Sequence, residues 1–399
     1  MYPVMTLSYG EIKRKKNIDS GLVPSNYDNY QMLYKGNIVL RLIDLQNDHT
    51  SLRTGLVHET GIITSAYTCI VSSENPAYIR YLLHSYDTRK VFYGYGGGVR
   101  QSIGFKEIRH LQVSVPPRDE QDQIVRYLDW QVSKINRLIA AKRKQIELLN
   151  QTIAHNLERI ICEGMHGEEL VETGNPWIST APKSWNKLRH KNILTEKKIV
   201  VGDTYSQYTL LSLTTKGIIV RDISSGKGKF PSDFSTYQVV QPSDMVFCLF
   251  DVDETPRTVG LSAYTGMITG AYTVYETHDV VPEFLLHYFT AIDNRKGFKP
   301  LYSGLRKVIG KDVFSRQSIY LPSVEEQKEI VAAIDASQKK CKKAMDLFEQ
   351  EIIALTDLRT RLISDVVTGK IDVRSIKVPD YELVDDVVQD SEDGEPEVE

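Results

Sequence analysis

The residues in this sequence best suited to chemistry are cations beside glycines and amides. The chemistry they suit is the grip of a polyanion. RKKN (14–17) and SSGKGKF (224–230) set Lys and Arg next to Gly or Asn. Loops of that composition can carry ammonium and guanidinium groups to phosphates, where release of counterions supplies affinity. On that ground Arg14, Lys15, Lys227 and Lys229 are candidate phosphate contacts. Arg100 and Gln101 stand in one glycine-containing segment, and Arg306 and Lys307 stand at the matching place in another. Arg and Lys can read guanine and Gln can read adenine, so these four are candidate base contacts. Arg53 and Arg257 complete the candidate DNA-binding set.

Signs of covalent or cofactor chemistry are missing from the sequence. It contains no GxxxxGK[ST] loop and no GxSxG elbow. GYGGGVR (94–100) is glycine-rich without the spacing of a phosphate loop. Asp251, Asp253 and Glu254 could in principle hold a metal, but they read better as a solvated loop, so no metal site is expected. The histidines, His58 and His287 included, show no ligand spacing. Cys69, Cys162, Cys248 and Cys341 lie far apart, which suggests reduced thiols rather than a disulfide framework or zinc site. No apolar run reaches the ~18 residues a membrane span requires, and no signal peptide is apparent, so a cytoplasmic protein is expected. The formal charge of −3 includes ten carboxylates and no cation between 380 and 399, leaving +7 on residues 1–379. A mildly basic body suits an anionic partner.

The elements that must position these cations are written twice. PSNYDNYQ (24–31) recurs as PSDFSTYQ (231–238), 207 positions on, and ITSAYT (63–68) recurs as ITGAYT (268–273), 205 on. GGGVRQSI (96–103) matches YSGLRKVI (302–309), and VPPRDEQDQIVRYLD (115–129) matches LPSVEEQKEIVAAID (321–335), both 206 on. Preserved order at a near-constant offset means two copies of one unit of about 200 residues.

Each copy begins with short apolar runs bounded by turn residues, such as YKGNIVLRLIDL and QPSDMVFCLFDV, which predict strands. PAYIRYLLHSY (76–86) and PEFLLHYFTAI (282–292) predict helices opened by proline. A long helix follows in each copy. From Val125 to Ile160 the 3,4 spacing selects a seam through Ile135, Ile139, Lys142, Ile146 and Leu149. The matching frame runs through Cys341, Met345, Phe348, Ile352 and Leu355. A stripe this narrow wants another helix against it. The order domain, helix, domain, helix then makes the two helices antiparallel, with a domain near each end of a rod and approximate two-fold symmetry. Lys142 is expected opposite Phe348 and Glu349.

A globular region that closes on P-x-x-x-EQ-x-x-I and leads into a long helix, all of it repeated, resembles the specificity subunit of type I restriction–modification enzymes. The residues that carry the resemblance are Pro116, Glu120, Gln121, Ile124 and Asp129, with Pro322, Glu326, Gln327, Ile330 and Asp335. LISDVVTGKIDV (362–373) and NPWISTAPKSW (175–185) resemble other segments of that family. The resemblance implies an α+β fold with two target-recognition domains, at 1–118 and 166–323. Two conserved helices, at 119–165 and 324–371, would join them, and an acidic tail at 372–399 would be disordered. The second copy has a lead-in at 175–207 that the first lacks. Either the first domain is abbreviated at its N-terminus or the start codon chosen is too late.

The resemblance further implies a non-catalytic chain that reads a bipartite site on double-stranded DNA and scaffolds two modification (methyltransferase) subunits and the restriction subunits. S-adenosylmethionine, ATP and Mg2+ would belong to those partners, with no cofactor and no membrane contact for this chain. A stand-alone DNA-modifying enzyme would need a cofactor motif that the sequence lacks. A coiled-coil adaptor without a DNA role would share the repeat but not the family motifs.

Overall fold

Two helices of unusual length organise the chain, Arg118–Glu163 and Val324–Val367. Each opens just after a proline, and the acidic pairs Asp119/Glu120 and Glu325/Glu326 sit in the first turn, where carboxylates favour the helix dipole. Each stops at a glycine in the left-handed region. Gly164 (φ +69°) donates to Ile160 and Gly369 (φ +74°) donates to Val366, satisfying carbonyls of the last turn. The computed structural model describes residues 2–8, 10–15, 27–43, 45, 52–95, 102–221, 233–302 and 307–384.

The chain divides into two compact units, Met1–Gln145 with Leu347–Glu399, and Ile146–Asp346. In the first, strand Ile38–Leu40 is flanked by Thr54–Leu56 and Thr68–Ile70, all antiparallel. Tyr30–Leu33 pairs with Gly61–Thr64, and Met5–Ser8 forms a hairpin with Glu11–Arg14. The central strand is buried on both faces. Ile38 and Leu40 pack in a cluster with Leu83 and Phe92, while Val39 joins Leu7, Leu33 and Ile63. Leu83 belongs to the domain helix Pro76–Thr88, whose start is fixed by Pro76 and by Asn75. The Asn75 Oδ1 accepts from the backbone N–H groups of Ala77 and Tyr78.

The second unit repeats this plan with the same alternation. Met245 and Phe247 join a core with Phe289 and Phe314, while Val246 packs with Leu211, Val240 and Ile268. Its domain helix is Pro282–Asn294. Four strand segments are added from the stretch before the repeat begins. Leu194–Lys197 makes a fourth strand beside Thr273–Thr277, Asn186–Arg189 pairs with Ser318–Leu321, and Leu170–Glu172 pairs with Thr180–Pro182.

Among the described residues the first unit has no counterpart of these strands. The outer side of Thr68–Ile70 therefore carries no partner strand, and Val71 beside it is 82 % exposed. Val113 and Val115 are exposed where the second unit buries the matching Ile319 and Leu321.

In the first unit the start of one long helix runs beside the end of the other. Ile124 and Leu128 share a cluster with Ile363 and Val366, Asn136 accepts from Arg359 at 2.8 Å, and Lys142 meets Phe348 and Glu351. Numbers rise along one helix as they fall along the other, so the pair is antiparallel. The Lys142 ammonium lies 4.6 Å from the Phe348 ring centre and 2.6 Å from the Glu351 carboxylate. The carboxylate it reaches is thus Glu351 rather than the expected Glu349. Ile135 and Ile139 are buried. Ile146, Leu149, Cys341, Met345, Phe348, Ile352 and Leu355 are each half-buried, the degree of cover that one neighbouring helix can give.

The expectation of a disordered tail from 372 fails over its first part. Residues 373–384 lie along the first long helix. Gln123 donates to the carbonyls of Val373 and Ile376, and Asn136 donates to that of Val384, whose own N–H donates to Ser133 Oγ. Val373 and Val378 are buried there. Apolar side chains and side-chain amides on the helix meet the needs of this extended backbone, which a count of charges does not register. Residues 385–399 lie outside the described residues.

Candidate nucleic-acid interface

The repeated motifs turn out to build the frame of each unit. Gln121 is fully buried at the start of the first long helix. Its Nε2 donates to the Pro116 carbonyl at 2.9 Å, and its Oε1 accepts from the Asn75 N–H at 3.0 Å. Gln327 does the same in the second unit, with the Pro322 carbonyl at 3.0 Å and the Val281 N–H at 2.8 Å. A buried primary amide, donor and acceptor at once, thus clips each domain helix to the adjoining long helix.

Other matched residues are also spent internally. Gln31 donates to the carbonyls of Thr64 and Tyr67, and Gln238 donates to that of Tyr272. Asp129 accepts from the Tyr81 hydroxyl at 2.7 Å, and burial raises its carboxyl pKa. At the matching place Asp335 stands 3.3 Å from His287, whose pKa is lowered by burial against the opposing pull of that carboxylate.

The same holds for part of the expected DNA-binding set. Arg53 is not available to DNA. Its side chain is 0 % exposed, and its Nη1 donates to the carbonyls of Arg41 and Ile43. Its backbone N–H donates to Asp87 Oδ2, as the Thr258 N–H does to Asp293 Oδ2 in the second unit. Arg257 is committed likewise, with Nη1 3.2 Å from Asp293 and 3.0 Å from Asn294. Lys307 is held between Asp253 at 2.9 Å and Glu254 at 2.6 Å, and hydrogen bonds to Glu254 and Asp253 raise its pKa. The acidic loop is therefore in good part neutralised by this lysine. Arg14 is exposed and forms a two-pronged pair with Glu59, at 2.7 Å through Nε. Lys15 is half-buried, its backbone N–H on the Val4 carbonyl. Arg100, Gln101, Lys227, Lys229 and Arg306 lie outside the described residues. Among the described residues no group of three or more His, Cys, Asp and Glu is placed to hold a metal ion.

The structure adds a cationic surface that the spacing of the sequence did not bring forward. In the second unit Lys187, Arg189, Lys191 and Arg316 line an open groove of about 630 Å3, with Leu188, Asn192 and Ser318 completing it. No carboxylate lines it, and all four cations are exposed. Strand Asn186–Arg189 supplies two of them and the helical turn His190–Asn192 a third. Arg316 ends the short helix Lys311–Arg316, which leads into the partner strand. Four positive charges on one groove, with no carboxylate in its lining among the described residues, make a surface suited to a phosphodiester backbone. The signal available was the run KLRHK (187–191); Arg316, more than a hundred residues on, joins it only in the fold.

Comparison with known proteins bears on the scaffold. Residues 62–148 match the family model described as the type I restriction modification DNA specificity domain. A putative type I restriction enzyme MjaX specificity subunit from Methanocaldococcus jannaschii is 25 % identical over 321 residues, 75 % of this chain and 69 % of that protein. A chain solved in a study of complex assembly and conformational transition of the type I R-M system shares the fold. Its TM-score is 0.64 at 14 % identity, over 93 % of this chain and 92 % of that one. The HsdS subunit from Thermoanaerobacter tengcongensis gives a TM-score of 0.44 at 16 % identity, over 93 % and 91 %.

Proposed function

We propose that the chain is a specificity subunit of the type I restriction–modification family, that it reads a two-part DNA target, one part with each unit, and that it has no catalytic site of its own. One observation carries this reading. The same frame is built twice, and the motif residues that define it, Gln121 and Gln327 foremost, are used up inside the frame. Among what differs between the copies are loops and surface cations, where readout of different half-sites belongs.

Phosphate contacts would come from the groove of Lys187, Arg189, Lys191 and Arg316, and from Arg14 once Glu59 is displaced. Lys15, Lys227 and Lys229 would act in the same way. Base contacts would fall to Arg100, Gln101 and Arg306. Half-buried apolar residues of the long helices, such as Ile352 and Leu355, would meet modification subunits, which restriction subunits then join. Methyl transfer and ATP hydrolysis would belong to those partners, with their S-adenosylmethionine, ATP and Mg2+. None of the described helices is long and apolar enough to cross a membrane, and we assign the chain to the cytoplasm.

The test is methylation-site mapping with the chain reconstituted on modification subunits. The expected product is methylation at one split sequence, with no methylation by the chain alone. Methylation or cutting by the chain alone would refute the proposal, as would methylation without sequence preference.

A further inference from the structure

In the second unit two turns are fastened together twice, once through the backbone and once through charges. The Ile309 N–H donates to the Leu249 carbonyl at 2.7 Å. Two residues before Ile309, the Lys307 ammonium lies between Asp253 at 2.9 Å and Glu254 at 2.6 Å. The Tyr302 hydroxyl donates to Asp253 as well, at 3.3 Å. The carboxylates stand on a turn that is itself fixed. The N–H groups of Glu254 and Thr255 donate to the Asp251 carbonyl, and Lys296 donates to that of Thr255 at 2.6 Å. Lys307 is held in the left-handed region (φ +47°), an uncommon and costly conformation for a lysine.

The frame does not need these charges. The first unit makes the same backbone bond, from the Ile103 N–H to the Leu42 carbonyl at 2.8 Å. Counted from Leu42 and Ile103, the positions matching Asp253, Glu254 and Lys307 hold Gln46, Asn47 and Gln101, amides all three. Stability does not explain the charges either. Glu254 is exposed and Lys307 half-buried, and ion pairs this open to water contribute little. What the triad changes is the local field: two carboxylates against one ammonium leave a negative charge where the twin positions are neutral. Against DNA such a turn repels phosphate and keeps its lysine occupied. Cation–phosphate contacts hold every sequence alike, so withholding one sharpens the choice among sequences.

We infer that Asp253 and Glu254 are specificity-determining residues of the second unit, which act by withholding Lys307 from the DNA backbone. The inference rests on the proposed function, in which this unit reads one half of the target.

Fluorescence anisotropy tests it, with the full chain reconstituted on modification subunits. Salt titrations are run on two duplexes, one carrying the split sequence that methylation mapping identifies and one lacking it. Asp253→Asn/Glu254→Gln should raise affinity for the unrelated duplex by about threefold or more and steepen the slope of log K against log salt by about 1. Preference for the split sequence should fall by a similar factor. Adding Lys307→Gln to that pair should restore the parent slope, because the gained contact is the lysine's. Glu254→Gln alone, at an exposed position, should move the same quantities by less, which keeps the test usable if the double variant does not fold. If the parent prefers a split sequence and the carboxylate variants bind the unrelated duplex no better than it does, this inference fails alone. It also fails if the slope stays steep in the triple variant, since the carboxylates then act by repulsion without the lysine. A parent complex with no sequence preference overturns the proposed function and this inference with it.

Discussion

Gln121 and Gln327 show what a repeated motif residue can be for. Each joins a proline carbonyl to the N–H of the residue that caps a domain helix, and each glutamine side chain is itself buried. Replacing either with Ala leaves a buried donor and a buried acceptor unmet, at about 1–3 kcal/mol for each group left unsatisfied. Urea denaturation of Gln121→Ala and Gln327→Ala should show that loss; a midpoint unchanged from wild type would mean that the clip contributes nothing. The sequence marks both glutamines by their recurrence at a 206-residue offset, yet recurrence does not distinguish framing from reading. Arg53 illustrates the opposite difficulty. It stands in a polar stretch that suggests a surface cation, and only the packing of Asp87 and the carbonyls of Arg41 and Ile43 encloses it.

A second residue with a measurable signature is His190, packed between Phe289 and Phe314 at 5.2 and 4.6 Å. Burial lowers its pKa from the ordinary 6.5 to about 3, so it stays neutral in the folded chain. Below pH 6.5 the unfolded chain takes up a proton that the folded one refuses. Stability should therefore be full above that pH and fall as the pH drops toward 3. His84 adds to the same slope. His190→Phe should flatten the profile of melting temperature against pH between 6.5 and 4 without abolishing it. An equally steep profile in the variant would show that this ring is not what titrates.

For the long helices the 3,4 spacing was legible, and so was their antiparallel pairing within the first unit. The depth of burial along the stripe was not. Ile139 is 1 % exposed, while Ile146 and Ile352 are half-buried. A charge placed at Ile139 has no route to water. Ile139→Asp should cost several kcal/mol, whereas Ile352→Asp should cost clearly less. Thermal melts of the two variants side by side decide this; equal losses would mean that the stripe is uniformly buried. The extended segment 373–384 escaped notice for a related reason. Reading it together with the acidic residues that follow obscures Val373, Ile376 and Val378, which pack against or bond to the helix beside them.

Across the molecule the two-fold repeat was the most legible feature, and the added strands of the second unit the least. They lie in the stretch that has no twin to compare with. Each long helix carries residues of both units, and under the proposed function its length would set the distance between half-sites. Inserting seven residues after Leu149 and after Leu355 keeps the heptad register and adds about 10 Å to each helix. At 3.4 Å per base pair the unread gap should widen by about three base pairs. The half-sites themselves should stay the same when methylation sites are mapped for the reconstituted complex. A constant gap with altered half-sites would mean that the helices do not set the spacing.

The bare outer side of strand Thr68–Ile70 bears on how this chain is supplied to its assembly. Among the described residues no strand pairs with this side, and with Val71 exposed beside it the edge is a template on which further strands can grow. Molecules of the chain that outnumber their assembly partners are expected to stick to one another and be lost from the useful pool. The yield of working complex would then follow the ratio in which the subunits are synthesised rather than the total amount of this one.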